Sequence, residues 1–311
     1  MYKWSLFKES VNDGREEISD SGNVIGTRKT EQDTERRTIE EIKRIIDEKS
    51  KSFWRDHRYS TEEKGVYMNY KMIISYDGTA YNGWQKQGNT RNTIQGIFEN
   101  IISRMLGCET EVHGSGRTDA GTHAEGQVAN FHGNTDMSED EMKQYINKYL
   151  PNDIAVLELS KAGDRFHSRL NARRKTYVYR IWNSDVSDVF NQRYMFKYEK
   201  PLDIEKMKQA AQYLCGEHDF TSFCSNKRYK KSKVRNVYSI NVEKIGNEIR
   251  LTFDGDGFLY NMVRIMAGTI AECGEGKRKC EEIPQIIESK NREDAGVTLP
   301  ACGLILKKVE Y

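Results

Sequence analysis

The chain has 311 residues, 37% hydrophobic and 31% charged, with a formal net charge of +2. That length is enough for two modest lobes with real cores. A mean hydropathy of -0.80 implies that part of the chain stays outside any core. The start MYKWSLFKES lacks a signal-like apolar run and no later stretch reaches the roughly 20 apolar residues of a membrane span, so a cytoplasmic location is expected. Six cysteines (Cys108, Cys215, Cys224, Cys273, Cys280, Cys302) form no C-x-x-C pair, which argues against a zinc site or a disulfide framework and for reduced structural thiols.

Residues 1–66 are polar and mixed in charge. Only TIEEIKRIIDEKSKSFW, with Ile39, Ile42, Ile45 and Ile46 at helical spacing, suggests a short amphipathic helix in an extension expected to be otherwise disordered. From Tyr70 the texture changes. KMIISYDG reads as a strand entering a turn, and TIQGIFENIISRMLG as an amphipathic helix capped by Thr93 and stopped at Gly107. QVANFH suits a short strand, and SEDEMKQYINKYL opens with the capping box Ser138 and Glu141. IAVLEL and TYVYRIW read as strands, DIEKMKQAAQYL as a helix, VYSINV and EIRLTF as a hairpin around Ile245 to Asn247, and NMVRIMAGTIAEC as a buried helix. This mixture, without Gly-x-Gly-x-x-Gly after the first strand, predicts an α+β fold with a mixed or antiparallel sheet and disfavours a dinucleotide-binding domain. The order of elements is compatible with two similar halves facing each other.

The net charge is too small to identify a polyanionic partner, but the cations cluster. Residues 227–235 read KRYKKSKVR, and Arg165, Arg169, Arg173, Arg174, Lys175 and Arg180 stand among aromatic residues. Such runs are as often solvated faces as binding surfaces.

The segment GSGRTDAGTHAEGQVANF (114–131) is a glycine-rich constrained loop around Arg117, Thr118 and Asp119 that leads into a strand. Taken alone, an Arg-Thr-Asp in such a loop is more often a capped turn than a reactive site. GRTDAGTHAEGQV, however, resembles the signature of TruA-type tRNA pseudouridine synthases, G-R-T-D-A-G-V-H-A-x-G-Q-V, with Thr122 in the place of the valine. Further blocks similar to that family follow in order: YDGTAYNGWQ (76–85), ARRKTYVYRI (172–181), DFTSF (219–223), GFLYNMVRIMAG (257–268) and PACGLIL (300–306). The resemblance covers about Tyr70 to Tyr311.

The resemblance implies a pseudouridine-synthase fold of two facing lobes, residues 67–172 with the aspartate loop and 173–311, and a central catalytic cleft. It implies no cofactor and no metal, a homodimer gripping one tRNA, and isomerisation of uridines 38, 39 and 40 in the anticodon arm. Asp119 matches the catalytic aspartate and Arg264 the basic residue paired with it; a cation at contact distance would push the aspartate pKa down. Tyr177 matches the ring that lies against the extruded uracil, where stacking offsets part of the cost of flipping the base out. Arg117 matches the residue that enters the vacated space, and Leu304 the apolar wall of the uracil pocket. His123 has no chemical role in the family, so a structural histidine is expected. Lys227, Arg228, Lys230, Lys231, Lys233 and Arg235 would then line the tRNA path through phosphate contacts. A single carboxylate separates this chemistry from a glycosidase, which needs two. The competing readings are an RNA-binding protein that kept the fold without catalysis, and a base-excising or otherwise different uridine-modifying enzyme.

Overall fold

A computed structural model describes residues 67–88, 90, 92–226 and 231–311. The expected N-terminal extension and helix, and Lys227, Arg228 and Lys230 of the basic run, lie outside the described residues. In chain order the strands are β1 (Met68–Tyr76), β2 (His113–Gly114), β3 (His123–Gly133), β4 (Ile154–Ala162), β5 (Arg174–Trp182), β6 (Phe196–Lys197), β7 (Gly216–Asp219), β8 (Val234–Ile245), β9 (Glu248–Gly255) and β10 (Leu304–Glu310). The helices are α1 (Ile94–Leu106), α2 (Glu139–Tyr149), α3 (Ile204–Tyr213), α4 (Met262–Glu275) and α5 (Ile283–Ser289).

Helix ends follow local chemistry. The Thr93 hydroxyl accepts from Gly96 N, and Gly107 closes α1 in the left-handed conformation at φ 72°, where a residue with a Cβ is strained. At α2 both hydrogen bonds of the Ser138–Glu141 capping box form. The apolar face of α1 turns inward as its periodicity predicts, with Ile94, Phe98 and Ile102 fully buried. Burying each such side chain contributes about 1.5–3 kcal/mol.

All ten strands join one mixed sheet in the order β4-β1-β3-β10-β5-β9-β8-β7, with β2 on β3 and β6 on β5. Most ladders are antiparallel; β10 runs parallel to β3 and β6 parallel to β5. The N-terminal half of the sheet (β4, β1, β3) carries α1 and α2, and the C-terminal half (β5, β9, β8, β7) carries α3 to α5. The last strand, β10, is inserted between them, so the expected facing lobes share a continuous sheet and a continuous apolar core. Its Leu306 pairs with Ala124 of β3 on one side and with Tyr177 of β5 on the other.

Strand β3 is longer than the sequence pattern suggested and is buried along nearly its whole length. Its interior polar residues are all partnered: Asn130 Nδ2 donates to Asn69 Oδ1 at 3.1 Å and Asn130 Oδ1 accepts from Ser168 N at 2.9 Å. The β8–β9 hairpin turns at Gly246, φ 61°. All six cysteines are free thiols. Among the described residues no helix is long and apolar enough to cross a membrane.

Helix α4 is buried along most of its length and presses against the segment before β10. A Cβ at Gly268 would lie 2.0 Å from the Val297 carbonyl oxygen. Gly268→Ala is therefore expected to force that segment off the helix and to destabilise the fold by about 3 kcal/mol, the upper range for overpacking. Urea unfolding measures it, and a variant within about 0.5 kcal/mol of the parent, the scale of neutral surface changes, would contradict this packing.

Candidate active site

The site forms where the two halves of the sheet meet. Its floor is the YDGTAYNGWQ segment, which follows β1 and cradles the aspartate loop. Trp84 N donates to the Thr118 carbonyl at 3.1 Å and Gly121 N to the Tyr81 carbonyl at 3.3 Å. Tyr76 Oη and Thr118 Oγ1 share a buried hydrogen bond of 2.8 Å, and burial raises the Tyr76 pKa to about 12, so the phenol stays neutral. Two glycines permit the approach. A Cβ on Gly78 would meet the Thr122 carbonyl at 2.0 Å, and one on Gly83, at φ +88°, would meet the Thr118 carbonyl at 2.6 Å. On the other side of the loop, buried Gln127 of β3 accepts from Ser115 Oγ at 2.6 Å and donates to the Gly116 carbonyl at 2.9 Å.

Asp119 emerges from this cradle toward α4. Arg264 Nη1 lies 3.2 Å from Asp119 Oδ2, with side-chain exposures of 17% for the arginine and 20% for the aspartate. Pairing alone would lower the Asp119 pKa. The structure reverses that expectation: burial raises it more than Arg264 lowers it, and the net direction is upward. Desolvation disfavours the charged form wherever water is excluded. Ionisation of this group therefore opposes folding, and the stability it contributes at low pH is lost as pH rises through its raised pKa.

Arg264 is fixed at three points. Its Nε donates to the Leu299 carbonyl at 2.6 Å, and Nη1, besides reaching Asp119, donates to Asn261 Oδ1 at 3.0 Å. Asn261 was not singled out by the sequence reading. It opens α4 in the left-handed conformation, φ 62°, ψ 4°, and its side chain makes no helix cap. Non-glycine residues adopt this conformation rarely, asparagine more readily than most. The signal available in the sequence was an asparagine directly before the buried helix, read there as part of the helix.

Tyr177 of β5 is buried on the same side of the junction. Phe258 packs edge-on against its ring at 5.3 Å and 85°. Burial, Tyr76 and Asp119 all raise its pKa, which keeps the phenol neutral beside the carboxylate. Leu304 opens β10 opposite Tyr179, two residues along the ladder from the Leu306–Tyr177 pair, and is 6% exposed. Residues two apart on a strand share a face, so Leu304 and Leu306 lie on the Tyr177 side. Arg117 is exposed at the rim of the aspartate loop.

His123 is buried at the start of β3 and serves the frame. Gly78 N donates to its Nδ1 at 3.0 Å, which leaves the ring proton on Nε2, 3.2 Å from the Cys302 carbonyl. Asp77 Oδ1 lies 3.1 Å from Nδ1 and would pair only with a protonated ring. Burial, the largest influence, lowers the His123 pKa, so the neutral ring prevails at neutral pH. Glu125, the nearest further acid in the motif, is exposed and pairs with Lys307 instead. Thr122 is buried, and its hydroxyl has no protein partner among the described residues; a valine, as in the family pattern, has the shape for that space. DFTSF is structural: Asp219 Oδ1 accepts from Thr221 N and Oγ1 at 3.1 and 2.6 Å, while Phe220 and Phe223 fill the core.

Of the basic run, Lys231 is exposed and Lys233 half-buried at the approach to β8. Arg235 lies close enough to the site for its charge to act on Lys175. Among the described residues no group of three or more His, Cys, Asp or Glu could hold a metal ion.

A family model described as tRNA pseudouridine synthase matches residues 72–171 and 210–311, spans that contain the aspartate loop and Arg264 but leave Tyr177 between them. The chain belongs to this family, whose members are isomerases. Its relatives specify the type. It is similar to "tRNA pseudouridine synthase A 2" of Bacillus anthracis, 46% identical over 78% of this chain and 99% of the relative. It is also similar to "tRNA pseudouridine synthase A" of Bacillus sp. (strain KSM-64), 48% identical over the same shares. "tRNA pseudouridine synthase A 1" of Clostridium tetani (strain Massachusetts / E88) matches at 46% over 78% of this chain and 99% of its own length. These make the chain a synthase of the TruA type. A solved "Crystal Structure of a Cbf5-Nop10-Gar1 Complex" also matches, at 14% identity and TM-score 0.29 over 65% of this chain and 44% of that one.

Asn261→Gly keeps the left-handed backbone and removes the acceptor that steadies Arg264. The expected result is a fall of about tenfold in kcat, the scale of one hydrogen bond to a charged group, with tRNA affinity unchanged. With Arg264 less firmly held, burial dominates further, so the acid limb of the pH–rate profile should move to higher pH. An unchanged profile would show that Asn261 does not position the arginine.

Proposed function

We propose that the enzyme isomerises uridines 38, 39 and 40 in the anticodon arm of tRNA, acting in the cytoplasm as a homodimer. The observation that carries the chemistry is the single carboxylate, Asp119, held against Arg264 at a largely desolvated junction beside Tyr177. Isomerisation breaks the bond from ribose C1′ to uracil N1 and joins C1′ to C5 of the same base, with the C5 proton lost and one gained at N1. One ionised carboxylate can promote it, whereas a glycosidase uses two carboxylates about 5–9 Å apart.

In this reading Asp119 acts on the flipped nucleotide, and Arg264 keeps it ionised against the pull of burial. Tyr177 offers the neutral face on which uracil stacks, Leu304 closes the pocket, and Arg117 fills the gap left in the RNA. Lys227, Arg228, Lys230, Lys231, Lys233 and Arg235 supply sequence-independent affinity for phosphates, and the RNA is read by shape. Residues 67–172 and 173–311 act as the two lobes that close on the arm, with 1–66 an appendage. A protein that only binds RNA needs the cations but has no use for a buried aspartate–arginine pair.

The test uses unmodified tRNA transcripts carrying uridine at positions 38, 39 or 40, with pseudouridine mapped after incubation. The reading expects conversion at these positions, none elsewhere, and no change in RNA mass. Conversion confined to another part of the tRNA, or release of free uracil, would refute it.

A further inference from the structure

Lys175 precedes Tyr177 by two residues on β5, so both side chains project from one face of the strand toward the aspartate loop. Its Nζ donates to the Ser115 carbonyl at 2.7 Å. Lys175 Nζ and Tyr177 Oη lie 3.6 and 3.5 Å from the point that a Cβ on Gly116 would occupy, so the two groups converge on that loop residue. Across the ladder stands Gly255, which contributes no side chain beside the lysine stem.

The two arginines of β5 take acidic partners from β9: Arg174 pairs with Asp254, and Arg180 with Glu248. Lys175 pairs with no carboxylate among the described residues, and the charges that act on it, Arg169 and Arg235, are both positive. Burial first, and then these two cations, lower its pKa to about 8. A sequestered ammonium is costly without a counter-charge, and here it is held by a neutral carbonyl at the edge of the site where an RNA nucleotide must enter.

We propose that Lys175 is a phosphate-binding residue of the active site, its ammonium holding the backbone phosphodiester that flanks the flipped nucleotide while the Ser115 carbonyl aims it. This rests on the reading that a uridine is extruded beside Tyr177. The phosphodiester supplies the missing negative charge and restores the lysine to its fully protonated form. Arg169 and Arg235 strengthen the field that draws it in.

The experiment compares anticodon stem-loop RNAs in which the phosphate on either side of the target uridine is replaced by an uncharged methylphosphonate, with wild-type enzyme and Lys175→Met. At one of the two phosphates, the wild type should lose about tenfold or more in kcat/KM, as for one charged hydrogen bond. Lys175→Met should show that loss already with ordinary RNA and no further loss with the methylphosphonate. Lys175→Arg, which keeps the charge, should remain sensitive to it. Losses that add independently would show that Lys175 only ties β5 to the loop, and insensitivity of the wild type at both phosphates would overturn the proposal outright. If Lys175→Met does not fold, amine-reactive labelling of Lys175 in the wild type decides: ordinary RNA should protect it and the critical methylphosphonate RNA should not, while equal protection by both contradicts the assignment. A wild type that converts no uridine in ordinary RNA would instead sink the functional reading beneath it.

Discussion

The carboxylate of Asp119 is 20% exposed and has Arg264 Nη1 3.2 Å away. Burial pushes its pKa up and the arginine pulls it back, so the guanidinium is what favours the ionised state against desolvation. Arg264 is the third residue of α4, in its first turn, and is held from outside the helix as well as from its N-cap. The Leu299 carbonyl and Asn261 Oδ1 hold it. Leu299 belongs to the segment that Gly268 lets α4 touch, and Asn261 holds its place in a backbone conformation that few side chains tolerate. The YDG turn, the aspartate loop and the C-terminal strand have the same dependence: each fixes one end of a contact that spans the junction.

His123 illustrates how tightly the frame is tied. Its neutral ring links the Gly78 amide of the first turn to the Cys302 carbonyl just before β10, and β10 then runs between β3 and β5. Closing the chain on itself in this way ties the strand that follows the aspartate loop to the strand that carries Tyr177. The cost is a set of contacts distant in sequence, which form late and at an entropic price relative to local ones.

What could be read from the sequence was local or motif-borne. The caps at Thr93, Gly107, Ser138 and Glu141 involve residues within one turn of each other, and they fall where the side chains dictate. Asp119, Arg264 and Tyr177 were found because the surrounding blocks resemble one family, and the structure brings them to one junction. The full extent of β3 escaped notice because Gln127 and Asn130 look like surface residues until their buried partners are known. The insertion of β10 escaped for a related reason, since pairing between residues 123 and 305 leaves no trace in local periodicity. Burial also decided the two electrostatic surprises, the upward pKa of Asp119 and the downward pKa of Lys175, because desolvation depends on what the whole fold excludes.

The catalytic role proposed for Asp119 is tested directly by Asp119→Asn, since the amide keeps the shape and removes the charge. The measurement is single-turnover conversion of uridine to pseudouridine in unmodified tRNA, with tRNA binding and a thermal melt on the same preparation. Because no second acid in the loop can substitute, the account predicts a folded protein that binds tRNA as the parent does and converts uridine at least about a thousandfold more slowly, the scale at which a reaction loses an essential group. A folded, tRNA-binding variant whose rate stays within about tenfold of the parent would contradict it.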